Sequence, residues 1–371
     1  MNDKKQLEVY IAQKHVGTLA KTKDYLMAFE YSDEWVRTGF SISPISLPLQ
    51  KCVFVSKKYD PFDGLFGVFA DSLPDGWGRL LVDRLLLKRQ INPASISALT
   101  RLAIVGNSGM GALEYRPSNE MNEEMTAMTL DELAEECAKM FDTEHSEHLD
   151  ELFRLGGSSG GARPKVNYEI NGEEWIVKFS SSIDRRNIGR EEYDYSVCAK
   201  KCQLPMTDTR LLPSEFCEGY FATKRFDREN NQKIHMVSVS GLLETSHRIP
   251  NLDYNILMQL TLKITHSYEE VEKLFRWMCF NVFAHNRDDH AKNFSFLYKD
   301  EGWKLSPAYD LTYSDSIGGE HATTINGNGS DPGMDDIMEV AKKTMMDEKK
   351  ALKIADEIRE IIAEDLKEYL R

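Results

Sequence analysis

The sequence has little of several features that would assign it early to a protein class. Its six cysteines form no CxxC pair, which argues against a zinc site or a disulfide framework and favours thiols in a reducing compartment. No run approaches the roughly 18 apolar residues that a membrane helix needs, so we expect no membrane association. The N-terminus leads directly into strand-like sequence, and we expect no signal peptide. These absences together predict a cytoplasmic protein.

A basic excess is also lacking. The 371 residues include 46 Lys and Arg against 60 Asp and Glu, which gives a formal net charge of −14. That charge argues against DNA binding by this chain alone, because nucleic-acid binders neutralise phosphates with clustered cations. The length predicts two or three domains, and 41% hydrophobic residues are typical of a globular protein.

In the stretch 281–298, a cluster of polar residues lies between apolar flanks. Arg287-Asp288 is followed by four residues and Asn293, and a later acid, Asp310, closes a second apolar run. Protein kinases use this pattern: the first Asp accepts the hydroxyl proton, while the Asn and the second Asp hold metal ions. Asp288 has the required spacing to Asn293, whereas Asp289 is one residue short. The spacing predicts Asp288 as proton acceptor and Asn293 and Asp310 as metal ligands.

Residues 155–166 form a second informative stretch, with four glycines in six positions. Glycines let backbone N–H groups turn inward around a phosphate. Strand patterns at 165–170 and 174–179 follow, separated by an Asn-Gly turn. The pattern predicts a nucleotide loop capping a hairpin, with Lys178 where a kinase lysine meets the α- and β-phosphates. A flexible linker before an ordinary hairpin is the alternative, and the catalytic loop downstream argues against it.

Two further segments complete the kinase pattern. Residues 191–202 predict a helix with acids in its first turn, where they suit the helix dipole. A kinase needs a helical glutamate to pin its strand lysine, and Glu192 or Glu191 would fill this role. Residues 219–228 predict a strand that runs into a charged turn, at the point where an inter-lobe hinge would bind adenine.

The remaining segments carry less chemistry. Residues 1–117 predict a small mixed α/β domain, and residues 118–150 an acidic, solvated linker helix. The glycines of 106–112 resemble a phosphate loop, but no Walker lysine follows, so we favour a tight turn ahead of a strand at 112–115. Residues 315–332 predict a substrate or activation loop, and 334–371 a helical segment that closes the large lobe.

Several blocks, in chain order, resemble the HipA family, the serine/threonine kinase toxins of bacterial type II toxin–antitoxin pairs. The blocks are residues 16–19, 45–49, 69–75, 158–165, 225–228, 288–294 and 308–310. The resemblance implies an α+β fold. A mixed α/β N-terminal domain (1–117) and a linker (118–150) would precede a bilobed protein-kinase-like (phosphatidylinositol-kinase-like) domain (151–371). Its N-lobe would span about 151–228 and its mostly helical C-lobe about 229–371.

Position by position, the resemblance implies an ATP and Mg²⁺ site. The adenine hinge would run from Lys224 to Phe226, and Asp288, Asn293 and Asp310 would keep the roles given above. The phosphates would be enclosed by Gly160, Gly161, Ala162, Arg163 and Lys165, paired with Lys178, and flanked by His290 and Lys292. The family also autophosphorylates a serine at the head of its glycine loop, which switches the kinase off by expelling that loop. Ser158 holds this position, with Ser159 as the alternative.

The resemblance also implies partners. Family members phosphorylate proteins, aminoacyl-tRNA synthetases among them. Their antitoxin is a helix-turn-helix protein of the HipB type, so DNA would be contacted only through that partner. Lys224 departs from the acid of better-known members, and the 165–178 hairpin is shorter than theirs. Three alternatives are a small-molecule phosphotransferase, a non-catalytic kinase-fold partner in a repressor complex, and a metal hydrolase built on His285, Asp288, Asp289 and His290.

Overall fold

A computed structural model of the chain describes residues 3–118, 128–142, 146, 148–157, 160–181, 187–315 and 318–370. The chain forms two compact units, each contributed by several segments. Unit 1 comprises Met1–Gly189, Arg210–Val237 and Gly241–Thr245. Unit 2 comprises Arg190–Thr209, Ser238–Ser240 and Ser246–Arg371.

Unit 1 begins with a five-stranded antiparallel sheet in the order β4-β3-β2-β1-β5. The strands are β1 (Gln6–Ile11), β2 (Lys14–Lys21), β3 (Met27–Tyr31), β4 (Val53–Val55) and β5 (Glu114–Arg116). Burial alternates along β1, because successive side chains of a strand point to opposite faces. A two-residue turn joins β1 to β2, and Ala12 and Gln13 both have positive φ there. Such turns match the twist of the flanking strands.

The second sheet of unit 1 has the order β6-β7-β9-β8. Its strands are β6 (Lys165–Ile170), β7 (Glu173–Lys178), β8 (Thr209–Leu212), whose first residue belongs to unit 2, and β9 (Tyr220–Lys224). The predicted hairpin is confirmed: β6 and β7 are antiparallel and turn at Asn171 and Gly172, both with positive φ. The short strands β10 (Arg228–Glu229), β11 (Gln232–Lys233) and β12 (His235–Ser238) follow.

The helices of unit 1 pack beside these sheets. They are α1 (Asp33–Thr38), α2 (Gly67–Ala70), α3 (Gly76–Lys88), α4 (Ala98–Val105), α5 (Leu130–Asp142) and α6 (Leu149–Gly156). Local capping explains where some of them begin. The Ser97 hydroxyl, for example, accepts the Thr100 N–H at the start of α4, which satisfies a backbone donor that the helix itself leaves unpaired.

The expectation of a solvated linker helix is wrong for one face of α5. Leu133, Cys137 and Met140 are buried in the same apolar cluster as Trp77 of α3 and Trp175 of β7. The acidic residues Glu132 and Glu135 occupy the exposed face, as in any amphipathic helix. The helix is therefore part of the core of unit 1.

Unit 2 is mainly helical. Its elements are α7 (Ile188–Lys201, beginning in unit 1), α8 (Val239–Leu243, ending in unit 1), β13 (Leu252–Asp253), α9 (Tyr254–Thr265), α10 (Tyr268–Phe283), β14 (Ser295–Lys299), β15 (Gly302–Leu305), β16 (Thr323–Thr324), α11 (Met334–Lys343) and α12 (Glu348–Asp365). The C-terminal helical segment is two helices rather than one. Met345 has a positive φ between them, and the Asp347 carboxylate caps α12. Among the described residues, no helix is both long and apolar enough to cross a bilayer.

Candidate active site

The predicted catalytic loop begins where α10 ends, and buried amides fix its first turn. Asn286 donates from its backbone N–H to the carbonyl of Asn281 (3.0 Å) and from its Nδ2 to the Asn281 side-chain oxygen (2.9 Å). His285, between them, has φ +51°, a left-handed conformation that reverses the chain. The loop thus leaves the helix in a defined direction.

The two adjacent aspartates of this loop lie in different environments. The Asp288 side chain is 60% exposed. The Asp289 side chain is buried and accepts hydrogen bonds from the Tyr254 hydroxyl (3.1 Å), from Nδ1 of His321 (2.9 Å) and from the backbone N–H of Thr323 (3.1 Å). Asp289 therefore holds the loop in place, and Asp288 is the carboxylate that a substrate hydroxyl can approach.

Asn293 is buried at the end of the loop, in a single turn of 3-10 helix (Ala291–Asn293). Its Nδ2 donates to the backbone carbonyl of Asp288 (2.7 Å). The amide oxygen remains as the acceptor end of the side chain, and Mg²⁺ accepts such oxygen ligands. His290 accepts the Lys292 N–H through Nδ1 (3.3 Å), and its Nε2 lies 3.9 Å from Oδ1 of Asp288. The predicted loop residues Asp288, His290, Lys292 and Asn293 thus contact or closely approach one another.

Tyr309 connects the segment that carries Asp310, five residues after β15, to the catalytic loop. Its hydroxyl donates to the Lys292 carbonyl (2.6 Å) and lies 2.7 Å from the Ser295 hydroxyl. Asp310, the next residue, has φ +58°, a conformation that costs a non-glycine residue about 1–2 kcal/mol. Asp is among the non-glycine residues that adopt this conformation most readily, and here it turns the chain directly after Tyr309.

Both candidate glutamates of α7 are buried. Glu191 accepts a hydrogen bond from the Thr312 hydroxyl (3.1 Å), within unit 2. That bond ties Glu191 to the segment two residues beyond Asp310. Both Glu191 and Glu192 stay predictions for the lysine-pinning role.

In unit 1, Lys165 and Lys178 are directly paired across β6 and β7. Paired residues of antiparallel strands project from the same face of the sheet. The Lys178 ammonium is 5.6 Å from the centroid of the Phe221 ring. A Cβ built on Gly161, which has φ +83°, would lie 2.5 Å from Nζ of Lys165. Lys165 thus lies beside the glycine loop and on the same face of the sheet as Lys178.

The hinge segment begins with an ion pair and a backbone bond. The Lys224 ammonium pairs with the Glu173 carboxylate, and the Arg225 N–H donates to the carbonyl of Glu174 (2.9 Å). Phe226 is half-buried. The Lys224 side chain is thus engaged in an ion pair with β7.

A buried charge cluster that we did not predict follows the hinge. Asp227 accepts hydrogen bonds from Arg225 (2.8 Å), from Arg228 (2.8 Å) and from the backbone N–H of Gly111 (2.8 Å). Burial alone would raise the pKa of Asp227, but the arginine charges lower it to about 2. The Gly111 amide is therefore bonded to a carboxylate, and residues 106–112 form a turn before β5, as we favoured over a phosphate loop.

The glycine loop also has partners that the sequence did not reveal. Gly161 bonds to Asp75 and Trp77, whose only sequence signal is the turn cluster at 72–78. The predicted phosphorylation sites Ser158 and Ser159 lie outside the described residues. Throughout the described part of the chain, no group of three or more His, Cys, Asp or Glu side chains could hold a metal ion. Asp289, which the metal-hydrolase alternative needs as a ligand, instead accepts hydrogen bonds from Tyr254, His321 and Thr323.

Comparison with known proteins gives consistent matches across the chain. A family model described as the HipA N-terminal domain matches residues 7–116, and one described as the HipA-like C-terminal domain matches residues 157–366. The serine/threonine-protein kinase toxin HipA of Shewanella oneidensis is 24% identical over 344 residues, 83% of this chain and 75% of the relative. The putative kinase Y4mE of Sinorhizobium fredii is 50% identical over 335 residues, 82% of this chain and 76% of that protein.

A solved structure has the same fold. It is the complex of HipA, HipB and operator DNA from Shewanella oneidensis MR-1, which matches with a TM-score of 0.73 at 19% identity and covers 98% of this chain and 90% of that one. The predicted α+β fold, an N-terminal domain followed by a kinase-like region, is confirmed.

Proposed function

The chain belongs to the HipA family of serine/threonine kinase toxins, and we propose that it transfers the γ-phosphoryl group of ATP to a protein serine or threonine. The observation that carries this proposal is the pair Asp288 and Asp289. One carboxylate is exposed on a loop that the other holds rigidly, as proton acceptance from a bound hydroxyl requires.

In unit 2, the proposed chemistry divides among three side chains. Asp288 orients the acceptor hydroxyl and takes its proton. The oxygens of Asn293 and Asp310 hold Mg²⁺, and their all-oxygen donor set suits this ion. When bound, Mg²⁺ neutralises charge on the phosphates and thereby eases phosphoryl transfer. Catalysis by this chain then consists of positioning and charge stabilisation.

In unit 1, the proposed role is to hold ATP. Lys165 and Lys178 place two positive charges on one face of the sheet, where they would bind the triphosphate of ATP. Backbone amides of Gly160, Ala162 and Arg163 supply further donors. We propose that backbone groups of the segment from Lys224 to Phe226 bind adenine and that His290 and Lys292 are further phosphate ligands.

The proposed off switch is autophosphorylation of Ser158, or of Ser159 as its neighbour. A phosphate there carries close to two negative charges at neutral pH. It would repel the phosphates of ATP from a loop that both must share. The proposal rests on the position of these serines in the family motif and on this charge argument.

We further propose a separate HipB-type helix-turn-helix antitoxin as partner, through which the chain reaches DNA. Two observations support it: the solved structure of similar fold is a complex of HipA with HipB and operator DNA, and this chain carries a net charge of −14. Aminoacyl-tRNA synthetases are the proposed substrate class, on the strength of the family resemblance alone.

The test is phosphoryl transfer from γ-labelled ATP by the wild-type chain and by Asp288→Ala. We expect label in protein with the wild type and a loss of at least about 10³-fold with the variant, which should also relieve growth arrest on expression. Glu339→Gln, an exposed acid on α11 of unit 2, is the matched control and should retain activity. Autophosphorylation retained by Asp288→Ala contradicts its role, and label found only in small metabolites indicates a small-molecule phosphotransferase.

A further inference from the structure

We propose that the corner Asp75-Gly76-Trp77, at the start of α3, positions the glycine-rich loop for ATP. Residues 7–116, which match the HipA N-terminal domain, would then contribute to the nucleotide site through Asp75, which does not itself contact the nucleotide. The inference rests on the proposed role of the loop in binding phosphates. Asp75, Gly76, Trp77 and Gly161 all belong to unit 1.

Gly161 is held on both sides by this corner. Its N–H donates to a carboxylate oxygen of Asp75, and its carbonyl accepts the backbone N–H of Trp77 (2.9 Å). With φ +83°, Gly161 adopts a conformation that an unsupported loop would readily leave. Two bonds to the peptide groups on either side of one Cα fix the direction in which the neighbouring amides point.

Asp75 serves the loop rather than its own helix. It occupies the N-cap position of α3, where an Asp side chain ordinarily accepts an N–H of the first turn. Its carboxylate makes no such capping bond. The Trp77 N–H, one of the donors that a helix start leaves unpaired, is satisfied by the loop carbonyl instead. Helix start and loop therefore complete each other's hydrogen bonding.

The approach is too close for a side chain at the centre of the corner. A Cβ on Gly76 would lie 2.3 Å from the Gly161 carbonyl oxygen and 2.7 Å from Cα of Ala162. Trp77, fully buried, continues the contact by donating from Nε1 to the carbonyl of Lys165 (3.0 Å). The corner thus contacts both the loop and Lys165. Lys165 is the first residue of β6 and one of the two lysines that we propose face the phosphates.

The chemistry of Asp75 sets a specific expectation. Its carboxylate takes the Gly161 N–H, so phosphates must be bound by the other loop amides and the lysines. A second negative charge near those phosphates is unfavourable. The useful property of Asp75 is therefore its acceptor oxygen at that position and not its charge. Asn keeps the acceptor without the charge, whereas Glu keeps the charge and displaces the acceptor by one methylene.

The experiment measures the dissociation constant of a non-hydrolysable Mg²⁺–ATP analogue by calorimetry. Full-length chains carry Asp288→Ala, so that none phosphorylates itself. We expect Asp75→Ala and Asp75→Glu to weaken binding about tenfold, the equivalent of one hydrogen bond to a charged acceptor, and Asp75→Asn to bind as the parent does. Asp24→Ala, an exposed acid in the β2–β3 turn, is the control and should not change binding.

Steady-state kinetics with Asp288 intact give the second readout. The Asp75→Glu chain should show KM for ATP raised about tenfold, with kcat at saturating ATP and the KM for protein substrate within twofold of wild type. Unchanged or tighter nucleotide binding in Asp75→Ala overturns the inference, as does equal loss in Asp75→Asn and Asp75→Glu. If the parent chain binds no nucleotide, the proposed ATP site itself fails. If the parent chain binds the analogue and the Asp75 variants bind it equally well, only this inference fails and the proposed ATP site stands.

Discussion

Asp288 and Asp289 are neighbours in sequence, yet the side chain of Asp288 is 60% exposed and that of Asp289 is fully buried. The buried carboxylate bonds to α9, through Tyr254, and to the β16 segment, through His321 and Thr323. A loop held from two directions keeps its exposed carboxylate in one place. Stability and chemistry are thus assigned to different members of one Asp-Asp pair.

Substitution of Asp289 should therefore affect folding, and substitution of Asp288 should not. Asp289→Ala leaves three buried donors without their acceptor, and each loss costs about 1–3 kcal/mol. We expect the free energy of unfolding to fall by about 3 kcal/mol or more, whereas Asp288→Ala should change it by less than about 0.5 kcal/mol. Urea unfolding of both variants measures the difference, and equal losses would contradict the division of roles.

Stability should also depend on pH through His235. The ring is buried, its Nε2 lies 2.8 Å from the carbonyl of Ile42, and burial lowers the pKa of His235 to about 4. An unfolded chain protonates this histidine near pH 6.5, so between about pH 6.5 and 4 the unfolded state binds more protons. The contribution is fully present above pH 6.5 and is lost as the pH falls toward 4.

The measurement is urea unfolding at pH 7, 6 and 5 for the wild type and for His235→Gln, which keeps a side-chain donor but does not titrate. We expect the wild type to lose up to about 1.4 kcal/mol per pH unit more than the variant below pH 6. Parallel pH profiles for the two chains would show that His235 is not kept neutral by the fold.

The local parts of the site were predictable from the sequence, and the long-range parts were not. The β6–β7 hairpin follows from alternation and an Asn-Gly turn, and the spacing of Asp288 and Asn293 predicts one loop, in which the Asn293 amide bonds to the Asp288 carbonyl. His321 lies 32 residues from its partner Asp289, and Gly161 lies 86 residues from Asp75. No periodicity or turn rule connects residues so far apart, because folding alone sets which of many acids meets which donor.

The charge cluster after the hinge should make unit 1 sensitive to loss of Asp227. Asp227→Ala leaves Arg225 and Arg228 buried without their shared carboxylate, and breaking such a cluster costs about 3–5 kcal/mol. Glu229→Ala, an exposed acid two positions on, is the matched control and should change the unfolding free energy by less than about 0.5 kcal/mol.

The lowered pKa of Asp227 also predicts how the stability of the fold changes at acidic pH. Because the pKa of Asp227 is lowered to about 2 from an ordinary value of 3.8, its contribution is present above about pH 4 and disappears as the pH falls toward 2. Thermal unfolding at pH 5, 4 and 3 should show the wild type losing stability across this interval. A wild-type melting temperature that stays constant from pH 4 to 3 would contradict the lowered pKa.

The last prediction concerns which of Ser158 and Ser159 is phosphorylated, because that residue marks the head of the glycine loop. Purified wild-type chain incubated with ATP and Mg²⁺ should carry one phosphate, which peptide mass spectrometry should locate on Ser158. Ser158→Ala should remove most of that phosphate, Ser159→Ala should leave it, and Asp288→Ala should carry none. The phosphorylated chain should also bind nucleotide more weakly than the unphosphorylated one, because two dianionic groups would occupy one small loop. A phosphate on Ser159 would move the switch by one residue, and phosphorylation without loss of nucleotide binding would show that this serine is not an off switch.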